Sequence, residues 1–220
     1  MRPIKHISNK MKENIIFFKE FLNEFQNTGS CFPTSKWAAE ALTNPIRNRN
    51  IPKKILELGP GTGSVTVQIL SDLIPGDQLT ICEINERFMK TLKTKLSQNE
   101  DFLKHKDNID FFLGPMQDLP ENKKYDIIIC ALPFLNFPLD IVKEIFEKLK
   151  ALSAENSILT YYEYVGIRSL RKNLGPKPSK DRFQKLDQFF NDTYKIHEMK
   201  RTRIWLNVTP INIYTLRLAA

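Results

Sequence analysis

Glu57-Leu58-Gly59-Pro60-Gly61-Thr62-Gly63 sets an acid at the end of an apolar run and three glycines at alternate positions behind it. Glycine is needed where a chain turns with positive φ, or where a ligand approaches the main chain more closely than a Cβ would permit. A dinucleotide fingerprint, G-x-G-x-x-G, would need its third glycine at position 64, which is Ser64. The phosphate loop G-x-x-x-x-G-K-[ST] fails as well, because no Lys or Arg follows the glycines. The spacing therefore points to a nucleoside-type cofactor without phosphates. A second acid, Glu83, closes another apolar run about 20 residues further on, where nucleotide folds hold a ribose through its two hydroxyls. The plainer role for Glu83 is to cap a helix that starts near Asn85.

These residues need elements to hold them. Apolar runs predict strands over 54–58, 79–84, 109–113, 125–130 and 156–162, with helices over 64–73, 86–97 and 138–150. A polar helical stretch near 179–191 follows, and then two strands, near 195–206 and 210–217, with no helix between them. Alternation of this kind gives a parallel sheet covered on both faces, and the closing hairpin makes the last strand antiparallel.

The pattern E-x-G-x-G-x-G, from Glu57 to Gly63, resembles motif I of the class I S-adenosylmethionine methyltransferases. The resemblance implies an α/β, Rossmann-like fold with a seven-stranded, mostly parallel sheet. It also implies S-adenosylmethionine as cofactor, with S-adenosylhomocysteine as product. The loop Gly59, Gly61, Thr62 and Gly63 would pass beneath the methionine and ribose, Glu57 would face the ammonium end, and Glu83 with Ile84 would hold the ribose. Gly114-Pro115-Met116-Gln117-Asp118-Leu119 resembles the G-D-A-x-x-L segment that holds the adenine, with Pro115 in place of the usual acid. Met116 and Gln117 are then the expected adenine contacts. Phe32 and Thr34, in the segment Gly29-Ser30-Cys31-Phe32-Pro33-Thr34-Ser35, would close over the cofactor, and a helix capped by Thr34 or Ser35 follows.

In such a fold the methyl acceptor sits beyond the fourth strand, at Ala131-Leu132-Pro133-Phe134. Planar-amine methyltransferases carry N-P-P-Y or N-L-P-Y there. Ala131 has no amide to accept from an exocyclic amine, although it still borders the expected cofactor site. Phe134 could stack on a flat group, or the segment could be an apolar wall around a lipid headgroup.

The run Tyr161-Tyr162-Glu163-Tyr164-Val165-Gly166-Ile167-Arg168, with Trp205-Leu206-Asn207-Val208 near the end, resembles the bacterial phosphatidylethanolamine N-methyltransferases, relatives of the ribosomal adenine dimethylases. The likeness covers nearly the whole chain, with Thr209 where the family usually has a proline. It implies N-methylation of phosphatidylethanolamine and its partly methylated products, on the route to phosphatidylcholine. A protonated amine must lose its proton before attack, and Tyr161, Tyr162 or Glu163 would receive or orient it. Arg168 would hold the phosphodiester, while Arg171, Lys172, Lys177 and Lys180 would hold neighbouring anionic lipid. The alternative is a solvated Glu163–Arg168 ion pair with the two tyrosines on opposite sheet faces.

A chain of 220 residues suits one core domain, read as 51–220, preceded by an amphipathic and lid segment over 1–50. Ile4, Ile7, Met11, Ile15, Phe18, Leu22 and Phe25 form one helical stripe with basic residues around it. Such a helix could pack on the core or lie on an anionic membrane, the partner expected here. The net charge of +8 fits that surface and nucleic acid equally, so charge does not choose. Three scattered cysteines suggest reduced thiols, and the three histidines show no ligand spacing, so no metal site is expected. Without a signal-like or membrane-spanning run, a cytoplasmic, peripherally membrane-associated enzyme is expected, with no obligate protein partner. Ribosomal RNA adenine methylation and a non-catalytic cofactor-binding regulator are the alternatives. Ala131 and the lack of a helical carboxy-terminal RNA-binding domain make nucleic acid the weaker expectation.

Overall fold

The computed structural model describes residues 34–218 except Gly175, all within a unit spanning residues 33–220. The amphipathic stripe before residue 26 and Phe32 lie outside the described residues. Strands β1 (Lys54–Leu58), β2 (Gln78–Glu83), β3 (Ile109–Leu113), β4 (Tyr125–Cys130), β5 (Ser153–Tyr164), β6 (Glu198–Ile204) and β7 (Ile211–Leu218) form one sheet in the order β3-β2-β1-β4-β5-β7-β6. The first five run parallel, and β7 enters antiparallel between β5 and β6. This is the seven-stranded architecture expected from the alternating pattern.

The central strands are buried on both faces, which is why Lys54-Ile55-Leu56-Glu57-Leu58 and Tyr125-Asp126-Ile127-Ile128-Ile129-Cys130 read as continuous runs rather than alternations. On one face Ile55, Ile81, Ile127 and Ile129 pack with α1 (Lys36–Leu42), α2 (Ser64–Asp72) and α3 (Glu86–Leu96). On the other, Tyr161 meets Phe146 of α5 (Leu139–Leu152) and Phe190 of α7 (Lys177–His197). Burying one such aromatic or aliphatic side chain is worth about 1.5–3 kcal/mol. α4 (Glu100–His105) and α6 (Ile167–Leu174) complete the α-helices of the described residues.

Helix starts follow their caps. Ser35 Oγ accepts the Ala38 N–H (3.3 Å), so Ser35 rather than Thr34 caps α1. Asn85 caps α3 by accepting the Phe88 N–H (3.2 Å). α1 is tied to the sheet where Thr160 Oγ1 donates to the Leu42 carbonyl (2.8 Å). The polar helical stretch read near 179–191 is the middle of α7, α6 precedes it, and α7 continues to His197, so β6 begins three residues later than the strand read near 195.

Candidate active site

Hydrogen bonds beyond the strand ends gather four segments at the carboxyl edge of the parallel strands. The Gly59 N–H donates to Cys82 O (3.0 Å), Ala131 N–H to Leu58 O (2.9 Å) and Gly114 N–H to Glu83 O (2.9 Å). The glycine loop, the Glu83 turn, the 114–118 segment and Ala131 thus meet side by side. Gly61 and Gly63 have φ of 55° and 78°, the left-handed region that favours glycine. A Cβ at Gly63 would lie 2.4 Å from Leu92 Cδ1, whereas one at Gly61 would meet nothing within 4 Å. Gly63 therefore serves packing, and Gly61 leaves main chain bare towards open space. Thr62 is exposed, and its carbonyl accepts from Lys95 Nζ (3.1 Å).

Both loop acids are buried. Thr66 Oγ1 donates to Glu57 Oε1 (3.0 Å), while Glu57 Oε2 has no partner among the described residues. Burial pushes the Glu57 carboxyl up to about 8, against the Thr66 hydrogen bond. Glu83 Oε2 accepts the Gly61 N–H (3.3 Å) and Oε1 the Asn85 N–H (2.9 Å), so this acid braces the loop and the start of α3 together. Burial raises its pKa, and the N–H groups of Asn85, Gly61 and Ile84 oppose the rise. Ile84 is half-buried behind it. In the 116–118 turn Met116 is buried, and Gln117 Oε1 is a second buried acceptor with no partner among the described residues. Thr34 and Ala131 are half-buried.

The four expected catalytic residues do not form one constellation. Tyr161 and Glu163 face α5 and α7, whereas Tyr162 and Tyr164 pack with the core on the opposite face. Tyr161 is fully buried, its hydroxyl 2.6 Å from that of Tyr194, which donates to Glu163 Oε1 (2.8 Å). Its ring stacks on Tyr214 at 5.3 Å, so Tyr161 supports Glu163 through Tyr194. Arg168 Nε lies 3.5 Å from Glu163 Oε2 and 3.6 Å from Asp187 Oδ1, with its guanidinium over the Phe190 and Tyr194 rings at 5.3 and 5.5 Å. The ion pair is therefore buried, not solvated. Arg168 is no open phosphate clamp: two carboxylates already hold it, and Nη1 is buried without a partner among the described residues. Burial pushes Glu163 up, opposed by Arg168 and Tyr194, and the surrounding acids and tyrosines raise Arg168 against its own burial.

Pro133, Asn136, Tyr162, Glu163, Tyr164 and Ile167 line a cavity of about 30 Å³ at this edge. That is room for about two water-sized groups. Phe134 is buried, edge-on to Tyr161 at 5.1 Å, and forms the floor rather than a platform for a flat ligand.

Asn136, Asp187 and Tyr194 went unread in the sequence. Tyr194 had a signal: Phe183, Leu186, Phe190 and Tyr194 recur at spacings of three and four within a polar stretch, and a tyrosine in such a stripe needs a partner for its hydroxyl. Two of the basic residues are likewise engaged. Lys172 Nζ pairs with Asp187 Oδ2 (2.6 Å), and Arg182 Nη2 donates to the carbonyls of Leu135 (2.7 Å) and Phe137 (3.2 Å).

Sheet order and glycine loop together define an S-adenosylmethionine-dependent methyltransferase fold, and residues 55–155 match the family model described as a methyltransferase domain. Among similar solved structures, the O-methyltransferase TomG from Streptomyces achromogenes, in complex with S-adenosylmethionine, is 15% identical with a TM-score of 0.60, covering 94% of this chain and 90% of that one. An O-methyltransferase from Bacillus cereus, in complex with S-adenosylhomocysteine, is 15% identical with a TM-score of 0.58, covering 90% of each. The ornithine lipid N-methyltransferase of Singulisphaera acidiphila is 24% identical over 154 residues, 66% of this chain and 74% of that protein.

The described residues fit the cofactor. Glu57 Oε2 is a buried acceptor suited to an ammonium, Gln117 Oε1 is one suited to an amino group, and Gly61 leaves the close approach open.

Proposed function

We propose that this protein transfers methyl groups to the amine of a membrane-lipid headgroup, with phosphatidylethanolamine and its partly methylated products as acceptors. The observation that carries the reading is Glu163, a buried carboxylate lining a small cavity with Pro133, Phe134 and Asn136, in the segment that follows Ala131. A carboxylate attracts an ammonium, the Phe134 ring in the lining tolerates methylated forms, and the space suits a small amine better than a purine. The lipid substrate named for the Singulisphaera enzyme supports an amine-bearing lipid as acceptor.

The roles follow from these contacts. Bound S-adenosylmethionine supplies an electrophilic methyl group. Glu57 would hold the cofactor's ammonium, Glu83 its ribose hydroxyls, and Met116 and Gln117 its adenine. Glu163 draws the acceptor ammonium into the cavity and takes its proton, and Arg168 and Tyr194 fix the carboxylate. Alignment and exclusion of water provide the acceleration. The basic amphipathic segment near the amino terminus holds the enzyme on an anionic membrane, where it acts from the cytoplasmic side.

The test is transfer of labelled methyl from S-adenosylmethionine to vesicles of phosphatidylethanolamine, to vesicles of ornithine lipid, and to undermethylated ribosomal RNA. Label in phosphatidylethanolamine supports the proposal. Label in ornithine lipid alone would keep the lipid class and overturn the headgroup, and label in RNA alone would overturn both.

A further inference from the structure

The β6–β7 hairpin presents Trp205, Leu206 and Val208 to solvent at 64%, 62% and 66% exposure. It is pinned all the same: Asn207 turns inward, its Oδ1 accepting the Ser35 N–H (3.0 Å) and its Nδ2 donating to Thr209 O (3.0 Å). A held turn whose outward side chains are all large and apolar is unlike an ordinary surface loop, and such a patch marks a contact surface. α6 repeats the pattern. It buries no apolar residue, and Leu170 and Leu174, four apart on one face, are 52% and 76% exposed.

The two features share the edge of the sheet that carries the site. Ile211 pairs with Tyr164, the Val165 N–H donates to Pro210 O (2.9 Å), and Gly166 leads directly into α6. Ile167, the first residue of α6, also lines the Glu163 cavity. Charge on the adjoining strand is mostly positive. Lys200, Arg201 and Arg203 lie on β6, Arg203 holds its guanidinium 5.4 Å from the Trp205 ring centroid, and the single acid of β6, Glu198, is paired with Arg201 (3.0 Å). Residues 205–211 carry no charge.

We propose that the Trp205–Val208 hairpin and the exposed face of α6 form an insertion surface for an anionic phospholipid bilayer, bordering the acceptor cavity so that a headgroup enters it from the membrane plane. The choice of a bilayer as occupant rests on the lipid reading above. Trp205 has the amphipathic ring that favours the headgroup level, and the arginines beside it meet lipid phosphates. This surface is additional to the amino-terminal segment.

The chain has two tryptophans, so Trp37→Phe in the 220-residue chain leaves Trp205 as its one reporter. With vesicles of phosphatidylcholine and phosphatidylglycerol, Trp205 emission shifts to the blue and is quenched by brominated acyl chains, increasingly so as the anionic fraction rises. Leu206→Asp with Val208→Asp lowers vesicle partitioning at least tenfold and leaves S-adenosylhomocysteine affinity unchanged. Trp205 still reached by acrylamide on vesicle-bound protein would overturn the proposal. So would a Trp205 already shielded without vesicles, whether by this chain or by a second copy that the paired aspartates release. Transfer to a short-chain acceptor dissolved as monomers separates the two ideas. Insertion without such transfer would uphold the surface while the proposed function fails, and transfer without insertion would do the reverse.

Discussion

The Tyr194 hydroxyl donates to Glu163 Oε1 at 2.8 Å, joining α7 to β5 across 31 residues of sequence. With Glu163 ionised, Tyr194 has no second proton to give, so Tyr161 donates to Tyr194 across their 2.6 Å contact. Glu163 thereby faces the cavity with one oxygen held by a hydroxyl chain and the other beside Arg168.

Glu163→Gln should destabilise the protein by about 3 kcal/mol, because a buried Arg168 loses its nearer carboxylate while keeping Asp187. Tyr194→Phe should cost about 1–2 kcal/mol, since it leaves Tyr161 without its acceptor. The double variant should lose less than the sum, as the residues share one network. Urea unfolding of the three variants measures this coupling, and strict additivity would show that Glu163 and Tyr194 act independently.

Glu57 titrates near 8 when its site holds no cation, so binding an ammonium requires it to release a proton over most of the neutral range. Affinity for S-adenosylhomocysteine should therefore rise from pH 6 to 8, approaching tenfold per unit at the lower end, and Glu57→Gln should flatten the slope. The sign for stability is the opposite. Folded Glu57 keeps a proton that the unfolded chain loses near 4.5, so the ligand-free protein should lose stability as pH climbs from 4.5 towards 8. Calorimetric titration and thermal melts across that window check both slopes.

Gly61→Ala and Gly63→Ala should separate binding from packing. Each forces a side chain into left-handed backbone, at about 1–2 kcal/mol. Gly63→Ala adds the clash with buried Leu92 and should melt clearly lower. Gly61→Ala should fold nearly as well and bind S-adenosylhomocysteine at least tenfold more weakly. Equal affinity in Gly61→Ala and the parent would remove the close approach assigned to this residue.

Asn207→Ala removes the acceptor for the Ser35 N–H and loosens the start of α1, at about 1 kcal/mol. Cofactor release should quicken several-fold while the parallel strands keep their hydrogen-exchange protection. Stopped-flow displacement of S-adenosylhomocysteine gives the rate.

The sheet was legible because buried parallel strands must be apolar throughout, and the glycine loop because only glycine suits such backbone. Glu57, Gly61 and Glu83 were readable for the same reason: each stands at a fixed place relative to a strand end. The acceptor side was not. Arg168 meets Asp187 and Glu163 meets Tyr194 through contacts between separate elements, which no local period announces. Strand alternation did allow Tyr161 and Tyr162 to fall on opposite faces, and they do. α6 went unread because it buries no apolar residue, and α7 read only as a polar helical stretch near 179–191 because it buries a narrow stripe.

The most direct test of the central claim is mass spectrometry of total lipids from bacterial cells that contain phosphatidylethanolamine, lack its methylated forms, and express the full chain. The account predicts phosphatidylethanolamine species heavier by one or more methylene units with the parent protein, fewer with a folded Gly61→Ala variant, and none with a folded Glu163→Gln variant. Unaltered phosphatidylethanolamine in cells where the parent is folded and binds S-adenosylmethionine would contradict it.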